Sequence, residues 1–276
     1  MTDLCDIRCF VLDLDGTVYL GGKLLPGALA FIDYLRESER DFLFLTNNSS
    51  RHAEYYVQKL AAFGVRCTVE DILTAGEATA QYIKKLKAGA RVYLVGTPEL
   101  EQEFQQHGFT LTADAPDFVV LGFDTTLTYE KLAVACRLIR KGVAFIATHP
   151  DLNCPVEDGY IPDCGAMTAL IHSSTGVSPK VIGKPNREII DMILAKRGDY
   201  QPWQMAMVGD RLYTDIATGR NAGIKTVLVL SGETARGDLE GSPIQPDYVS
   251  EHLAALLSRL KDSDQRKALK ESTGRC

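Results

Sequence analysis

Four acidic side chains stand at the ends of two apolar runs in this sequence. Asp13 and Asp15 follow the run 10–12 at positions i and i+2, so they lie on one side if the strand stays extended. Asp210 and Asp215 follow the run 207–209. Two carboxylates about 4 Å apart repel by about 4 kcal/mol at an effective dielectric constant of about 20, so crowding four of them requires compensation. Mg²⁺ suits this task, because it accepts carboxylate ligands and bridges to a substrate phosphate.

A hydroxyl, two amides and an ammonium group end two further runs. Thr46, Asn47 and Asn48 close one of them, and Lys184 follows the other just before a predicted helix. Such groups donate hydrogen bonds to phosphate oxygens and neutralise their charge. The candidates for phosphate or substrate binding are Thr46, Asn47, Asn48, Lys184, Gly16 and Thr17.

Each of these groups alone also has a purely structural interpretation. Asp13 and Asp15 before a glycine are typical of a loop, and Thr46 before two asparagines is typical of a helix N-cap. Lys184 alone is typical of a solvated lysine, and Asp210 after a glycine is typical of a turn. Their common position at the ends of apolar runs favours a shared site.

Short apolar runs alternate with longer segments of helical period, which is the α/β rhythm. The runs are β-branched or aromatic and continuously apolar, as expected for parallel strands buried on both faces. Ligands of such sheets bind beyond the carboxyl ends of the strands, where these polar side chains stand. The predicted strands are 9–14, 42–46, 92–96, 118–121, 143–148, 205–209 and 226–230. The predicted helices include 51–63, 129–141, 186–196 and 253–260, and residues 18–25 indicate a hairpin with a Gly-Gly turn.

Composition and charge exclude several classes of protein. Of the 276 residues, 45% are hydrophobic and 24% are charged, which is typical of a globular chain. A formal net charge of −6 argues against broad binding to nucleic acid or anionic membranes. The N-terminus lacks the apolar segment of a secretory signal, and the seven cysteines contain no C-x-x-C pair. We expect a cytoplasmic protein with no nucleic-acid or membrane partner.

The order of the motifs resembles the haloacid dehalogenase (HAD) superfamily, and more closely its NagD-like, p-nitrophenylphosphatase-type branch with a class IIA cap. The similarity runs from about Arg8 to Val249. It implies an α/β fold with a doubly wound, Rossmann-like parallel-sheet core and an inserted α/β cap domain, since Asn48 and Lys184 are too far apart for one crossover. We expect HAD-like core at 1–80 and 180–260, the class IIA cap at 81–179, and a flexible polar C-terminal tail at 261–276.

The resemblance also implies a role for each motif residue. Asp13 is similar to the nucleophile of the family, and Asp15 is similar to its general acid/base. The residues implied in catalysis are Asp13, Asp15, Thr46 and Lys184. The groups implied in holding Mg²⁺ are the Asp13 carboxylate, the Asp15 backbone carbonyl and Asp210, with Asp215 in the outer shell.

Two residues of the expected cap are candidates for substrate contact. His149 and Asp151 follow the predicted strand 143–148, and this segment approaches the catalytic cleft in relatives; a structural or exposed loop histidine is the alternative for His149. Cys164 precedes a predicted helix, where a thiol of low pKa can occur, but we interpret it as a buried structural thiol. The resemblance further implies a homodimer that pairs through the cap.

The function implied by the resemblance is a Mg²⁺-dependent phosphomonoester hydrolase of small phosphorylated metabolites, with an aspartyl-phosphate on Asp13. One alternative is a phosphotransferase or phosphomutase of the same superfamily, which passes the phosphoryl group to a sugar hydroxyl. The other is a non-catalytic, phospho-accepting regulatory module. The pattern leaves the substrate open among nucleotides, sugar phosphates, glycolate or glycerol phosphates and pyridoxal phosphate.

Overall fold

The computed structural model of the protein describes residues 3–156, 159–198 and 200–272. Contacts within the chain divide it into two compact units. The first unit comprises Met1–Leu45, Lys59–Asp71 and Ile190–Cys276, and the second comprises Thr46–Gln58 and Ile72–Ile189. The cap and core boundaries expected from the sequence stay a prediction.

Strands and helices alternate along most of the described chain. The strands are β1 (Cys9–Asp13), β2 (Tyr19–Leu20), β3 (Lys23–Leu24), β4 (Asp41–Thr46), β5 (Ile72–Thr74), β6 (Arg91–Val95), β7 (Thr110–Leu111), β8 (Phe118–Leu121), β9 (Ala144–Ala147), β10 (Asn153–Val156), β11 (Gly159–Pro162), β12 (Lys180–Val181), β13 (Met205–Gly209), β14 (Lys225–Val229) and β15 (Tyr248–Ser250). The α-helices are α1 (Ala28–Glu37), α2 (Ala53–Ala62), α3 (Ala75–Leu86), α4 (Pro98–Gln106), α5 (Tyr129–Arg140), α6 (Cys164–Thr175), α7 (Glu188–Arg197), α8 (Ala217–Ala222) and α9 (Leu253–Ser272), and a π-helical turn spans Leu212–Ile216.

A parallel sheet forms the core of the first unit. Five of its strands pair in the order β15–β14–β13–β1–β4, each parallel to the next. Every residue of β1 and of β13 is buried, which fits their continuously apolar sequences. The strand order reverses at β1, and such a switch point opens a crevice beyond the carboxyl ends of the strands.

Helix α1 packs on α9 in this unit. Its buried residues Ala28, Phe31, Ile32 and Leu35 follow the helical period and form one apolar face. The Tyr34 hydroxyl donates a hydrogen bond to Asp264 Oδ2 at 2.7 Å, and the buried Arg40 guanidinium donates to the same carboxylate. Asp264 therefore ties α9 to α1 and to the start of β4.

The second unit has a parallel sheet of its own, in the order β12–β9–β8–β6–β7. Its core joins inward residues of this sheet to α5 and α6, among them Leu121, Ile139 and Ile171. Strands β10 and β11 form a separate antiparallel hairpin. Two parallel sheets with intervening helices confirm the predicted α/β class.

The predicted flexible tail is instead helical as far as the structure describes it. Helix α9 continues through Ser272, well beyond the apolar segment 253–260 from which a helix was expected. Polar contacts hold this extension: Lys267 donates to Asp6 Oδ1 at 3.0 Å, and Asp264 accepts from Arg40. Residues 273–276, the end of the predicted tail, lie outside the described residues.

The other local predictions agree with the structure. Residues 18–25 contain the predicted antiparallel hairpin, β2 with β3. Each of the seven predicted strands is present with its bounds shifted by no more than two residues. Across residues 3–156, 159–198 and 200–272, the helices lack the combination of length and apolar character needed to cross a bilayer.

Candidate active site

Asp13 ends β1 at the middle of the first sheet. It stands in register with Leu45 of β4, and its side chain is 7% exposed. The hydroxyl of the buried Thr17 donates a hydrogen bond to Asp13 Oδ2 at 3.3 Å. A carboxylate is thereby fixed at the carboxyl edge of the sheet, where the sequence predicts it.

Two further carboxylates lie beside Asp13. Asp210 directly follows β13, and Asp215 lies in the π-helical turn; one oxygen from each of the three buried carboxylates lies within 4.8 Å of the others. Backbone N–H groups hold two of them, since Glu233 donates to Asp210 Oδ2 at 2.6 Å and Arg211 donates to Asp215 Oδ2 at 3.1 Å. Three negative charges this close repel by several kcal/mol, on the order of 3 per pair at an effective dielectric constant of about 20.

Two glycines make room for this group of carboxylates. A Cβ atom at Gly16 or at Gly232 would lie closer than 3.0 Å to carboxylate atoms of Asp210, a distance that real Cβ atoms do not tolerate. Gly16 also has φ +86°, a left-handed conformation that other residues adopt at a cost. The backbone therefore approaches Asp210 from two sides.

Asp15 follows Asp13 by two residues and is partly exposed. The hydroxyl of the buried Tyr19 donates a hydrogen bond to Asp15 Oδ2 at 3.2 Å. The Gly16 N–H donates to the Tyr19 carbonyl at 2.8 Å. The hairpin that follows β1 thus orients the Asp15 carboxylate.

A segment after β14 contributes contacts that the sequence reasoning missed. Ser231 Oγ donates to the Gly16 carbonyl at 2.8 Å, next to the Glu233 N–H that holds Asp210. Arg211 forms an ion pair with Glu233 at 2.8 Å. The signal was present in the sequence, because Ser231-Gly232-Glu233 follows a buried strand just as Asp13 and Asp210 do.

Asn47 is a hydrogen-bonding hub in the second unit. Its Nδ2 donates to the Lys184 carbonyl and to Asp151 Oδ1, both at 3.1 Å, and its Oδ1 accepts from Lys184 N–H at 2.9 Å. A Cβ at Gly183 would lie closer than 3.0 Å to the same Asn47 Oδ1. Asn47 therefore fixes the backbone that carries the buried Lys184, and its predicted contact with phosphate stays a prediction.

Thr46 and Asn48 form the turn around Asn47. Thr46 Oγ1 accepts from Asn48 N–H at 3.1 Å, and Asn48 Oδ1 accepts from the N–H and the hydroxyl of Ser50 at 2.9 and 2.7 Å. The side chains of Thr46 and Asn48 thus stabilise the loop between β4 and α2.

His149 and Asp151 lie in the loop after β9, and both are buried. Their predicted contact with substrate stays a prediction. Cys164 is fully buried at the first position of α6, and burial raises the pKa of its thiol to about 12. The interpretation of Cys164 as a structural thiol is confirmed.

The sequence of this chain is similar to those of known phosphatases. Residues 10–110 match the family model of haloacid dehalogenase-like hydrolases, and residues 181–256 match a model described as HAD-hydrolase-like. The acid sugar phosphatase of Staphylococcus haemolyticus is 39% identical over 262 residues, which are 93% of this chain and 98% of the relative. The chain belongs to the haloacid dehalogenase superfamily.

Solved structures of HAD proteins narrow the branch. A 4-nitrophenylphosphatase from Thermotoga maritima superposes with a TM-score of 0.90 at 48% identity, covering 92% of this chain and 98% of that one. A structure described as a nagD protein superposes with a TM-score of 0.86 at 45% identity, covering 93% and 98%. The chain therefore belongs to the NagD-like branch. The predicted class of enzyme, a HAD-superfamily phosphatase, is confirmed, and the alternative of a non-catalytic module is wrong.

The HAD motif residues fall into two groups. The acids Asp13, Asp210 and Asp215 meet in the first unit, where Asp15 accepts from the Tyr19 hydroxyl. In the second unit, Asn47 joins Lys184 to Asp151.

Proposed function

We propose that this HAD phosphatase is a Mg²⁺-dependent phosphomonoester hydrolase that transfers the phosphoryl group of a small phosphorylated metabolite to Asp13 and then to water. The observation that carries the proposal is the buried group of three carboxylates, Asp13, Asp210 and Asp215, within 4.8 Å of one another. Such a group requires a cation, and a bound cation gives a phosphate a place to bind.

The donor atoms of this group fit Mg²⁺. They are all carboxylate oxygens, which hard divalent ions prefer. We assign the ion to the Asp13 carboxylate, the Asp15 carbonyl and Asp210. Asp215, whose Oδ2 accepts from the Arg211 N–H, would act through the outer shell. When bound, Mg²⁺ supplies positive charge to the phosphate oxygens and offsets the repulsion among the acids.

Asp13 acts as the nucleophile in the first step. Its carboxylate attacks phosphorus in line, the bond from Asp13 oxygen to phosphorus forms, and the bond from phosphorus to the leaving oxygen breaks. Asp15 donates its proton to the departing alkoxide. The Thr17 hydroxyl, which holds Asp13 Oδ2, and the Tyr19 hydroxyl, which holds Asp15, keep the two carboxyl groups oriented for these tasks.

Water completes the reaction in the second step. Asp15, now ionised, takes a proton from a water molecule whose oxygen attacks phosphorus. The bond from Asp13 to phosphorus breaks, the Asp13 carboxylate is restored and inorganic phosphate leaves. Dividing one difficult displacement into two easier ones is the benefit of the covalent intermediate.

Phosphate binding is assigned to Thr46, Asn47, Asn48 and Lys184, with Gly16 and Thr17 beside the nucleophile. The support for this assignment is the order of the HAD motifs and the charge-neutralising chemistry of these groups. We further propose that residues 81–179 form the cap that selects the substrate, that caps pair in a homodimer, and that the enzyme works in the cytoplasm.

The test uses p-nitrophenyl phosphate with the full-length protein. We expect release of p-nitrophenol in Mg²⁺, loss of release in EDTA and recovery when Mg²⁺ is restored. Rapid quenching with a labelled substrate traps label on the wild-type protein and none on Asp13→Asn. An Asp13→Asn variant that retains the wild-type rate contradicts the proposal. Label recovered on an added sugar in place of free phosphate supports the phosphotransferase alternative.

A further inference from the structure

A second buried cluster lies in the other unit, around His149. The imidazole follows β9 and is 0% exposed. Its Nε2 lies 3.4 Å from Asp163 Oδ1, and its Nδ1 lies 3.8 Å from Asp151 Oδ2. One ring nitrogen and one oxygen from each carboxylate lie within 4.8 Å of one another. Two acids thus face one histidine ring in the interior.

The His149 ring has no hydrogen bond in the described structure. Both of its nitrogens are buried, and neither has a partner among the described residues. Buried polar atoms are nearly always paired, so a ring in this position needs a further ligand. Its separations from the acids exceed the 2.7–3.2 Å, roughly, of an N–H···O bond. Two ligands of one tetrahedral ion, each about 2.0–2.1 Å from it, are about 3.3–3.4 Å apart, which matches the Nε2 to Asp163 distance.

The two buried carboxyl groups of this cluster also favour a bound cation. Asp151 and Asp163 are each less than 10% exposed as side chains. Two carboxylate groups and one imidazole that share a space largely without water form a set of donor atoms that suits a bound cation.

We propose that His149, Asp151 and Asp163 bind a divalent transition-metal ion of the Zn²⁺ type, through one ring nitrogen and carboxylate oxygens. Imidazole with carboxylate suits Zn²⁺, whereas the all-oxygen group at Asp13 suits Mg²⁺. The proposal of this ion does not rest on the proposed hydrolysis.

The neighbouring thiol is not a ligand. The Cys164 Sγ is not among the atoms of this cluster that lie within 4.8 Å of one another; it lies 3.5 Å from the Leu121 carbonyl oxygen and 3.7 Å from Thr148 Oγ1. The ion therefore has nitrogen and oxygen ligands only.

The ion would cross-link three segments of the second unit. Asp163 caps α6 by accepting from Cys164 N–H at 2.6 Å, and Asp151 accepts from Asn47 Nδ2 at 3.1 Å. The Asp151 carbonyl also accepts from Gly165 N–H at 2.7 Å. Binding thus fastens the loop after β9 to the start of α6 and to the Asn47 hub, and it stabilises the folded chain by mass action.

The experiment measures bound Zn²⁺ in full-length protein that has been stripped with a chelator. Equilibrium dialysis against Zn²⁺ in excess Mg²⁺, with metal counted by mass spectrometry, should give one equivalent for the wild type. Asp210→Asn, which alters the other cluster, should retain that equivalent. His149→Gln and Asp163→Asn should lose it, while His172→Gln, which alters an exposed histidine on α6, should retain it.

Two measurements on the wild type keep the proposal falsifiable if a variant fails to fold. X-ray absorption at the zinc edge should show one imidazole with oxygen neighbours and no sulfur. Nitrogen NMR of labelled histidines should show one ring shifted on addition of Zn²⁺. A wild type that binds no Zn²⁺ overturns the proposal, as does a sulfur ligand or a His149 ring that stays protonated on both nitrogens in the presence of Zn²⁺.

Discussion

The two buried clusters of this HAD phosphatase are built in different ways. Asp13 and Asp210 end neighbouring strands of one sheet, so the register of β1 with β13 sets their spacing. His149 and Asp163 belong to a loop and a helix cap, so strand register does not set their spacing. The first cluster offers only oxygen, and the second adds a nitrogen. Strand pairing thus positions the acids assigned to chemistry, while loop and helix-cap contacts organise the cluster and the hub of the second unit.

The largest effect expected from this difference is on Asp210. We expect Asp210→Asn to lower kcat/KM by about 10³-fold and to raise the Mg²⁺ concentration needed for half activity, because a negative ligand is lost. Steady-state kinetics over a Mg²⁺ series measure both changes. The exposed Asp262→Asn in α9 is the matched control. Activity of Asp210→Asn close to that of the control would break the comparison.

The next effect is on Asn47, and it should appear in stability. Asn47→Ala removes three buried hydrogen bonds and leaves the Lys184 backbone without them, so the free energy of unfolding should fall by about 3 kcal/mol. Urea unfolding measures the change. Asn153→Ala, at an exposed residue of β10, should change it by less than about 0.5 kcal/mol. Equal values for the two variants would show that Asn47 is not a hub.

We expect the free energy of unfolding to depend on pH through a residue of the second unit, Glu103. Burial, with Glu77 and Glu54 nearby, raises the pKa of Glu103 from 4.5 to about 8. Between these values the folded state keeps a proton that the unfolded state releases. The stability contributed by Glu103 is therefore complete below pH 4.5 and is lost as the pH rises through about 8.

Glu103→Gln removes this dependence, because the amide cannot ionise. Above the pKa of Glu103, the variant should be more stable than the wild type by several kcal/mol, and the two should converge in acid. Urea unfolding across a pH series checks this, with the less buried Glu101→Gln of the same helix as control. A constant difference between Glu103→Gln and wild type at every pH contradicts the assignment.

The smallest effect expected is on Ser231. Ser231→Ala removes one hydrogen bond to the Gly16 carbonyl, worth about 1 kcal/mol, so kcat should fall about 5-fold with KM unchanged. Ser258→Ala in α9 is the control, because its hydroxyl bonds only within its own helix. A change in KM alone would mean that Ser231 affects substrate binding and not the loop of Asp13.

Sequence reasoning succeeded where local pattern determines position. Asp13 and Asp210 were predictable because strand ends in a parallel sheet meet at one edge. Ser231 carried the same signal and was missed, because its run was taken as a strand without regard to the residues after it. Polar residues at the ends of apolar runs thus suffice to predict that the acids of the first cluster lie together.

Long-range side-chain contacts were not predictable in this way. Asp163 meets His149 across an intervening hairpin, and spacing along the chain does not indicate that approach. The extension of α9 was likewise not predictable. Asp264 and Lys267 are typical of a polar tail by sequence, and only the fold shows that they contact Arg40 and Asp6. Such contacts follow from tertiary packing.

The glycines around Asp210 restrict how this enzyme can diversify. Any side chain at Gly16 or Gly232 would displace Asp210, so saturation libraries at these two positions should yield almost no active clones. Directed evolution towards new phosphate esters has to draw its variation from elsewhere in the chain. The positions that can vary and the positions that hold the reacting carboxylates thus lie in different segments of the chain.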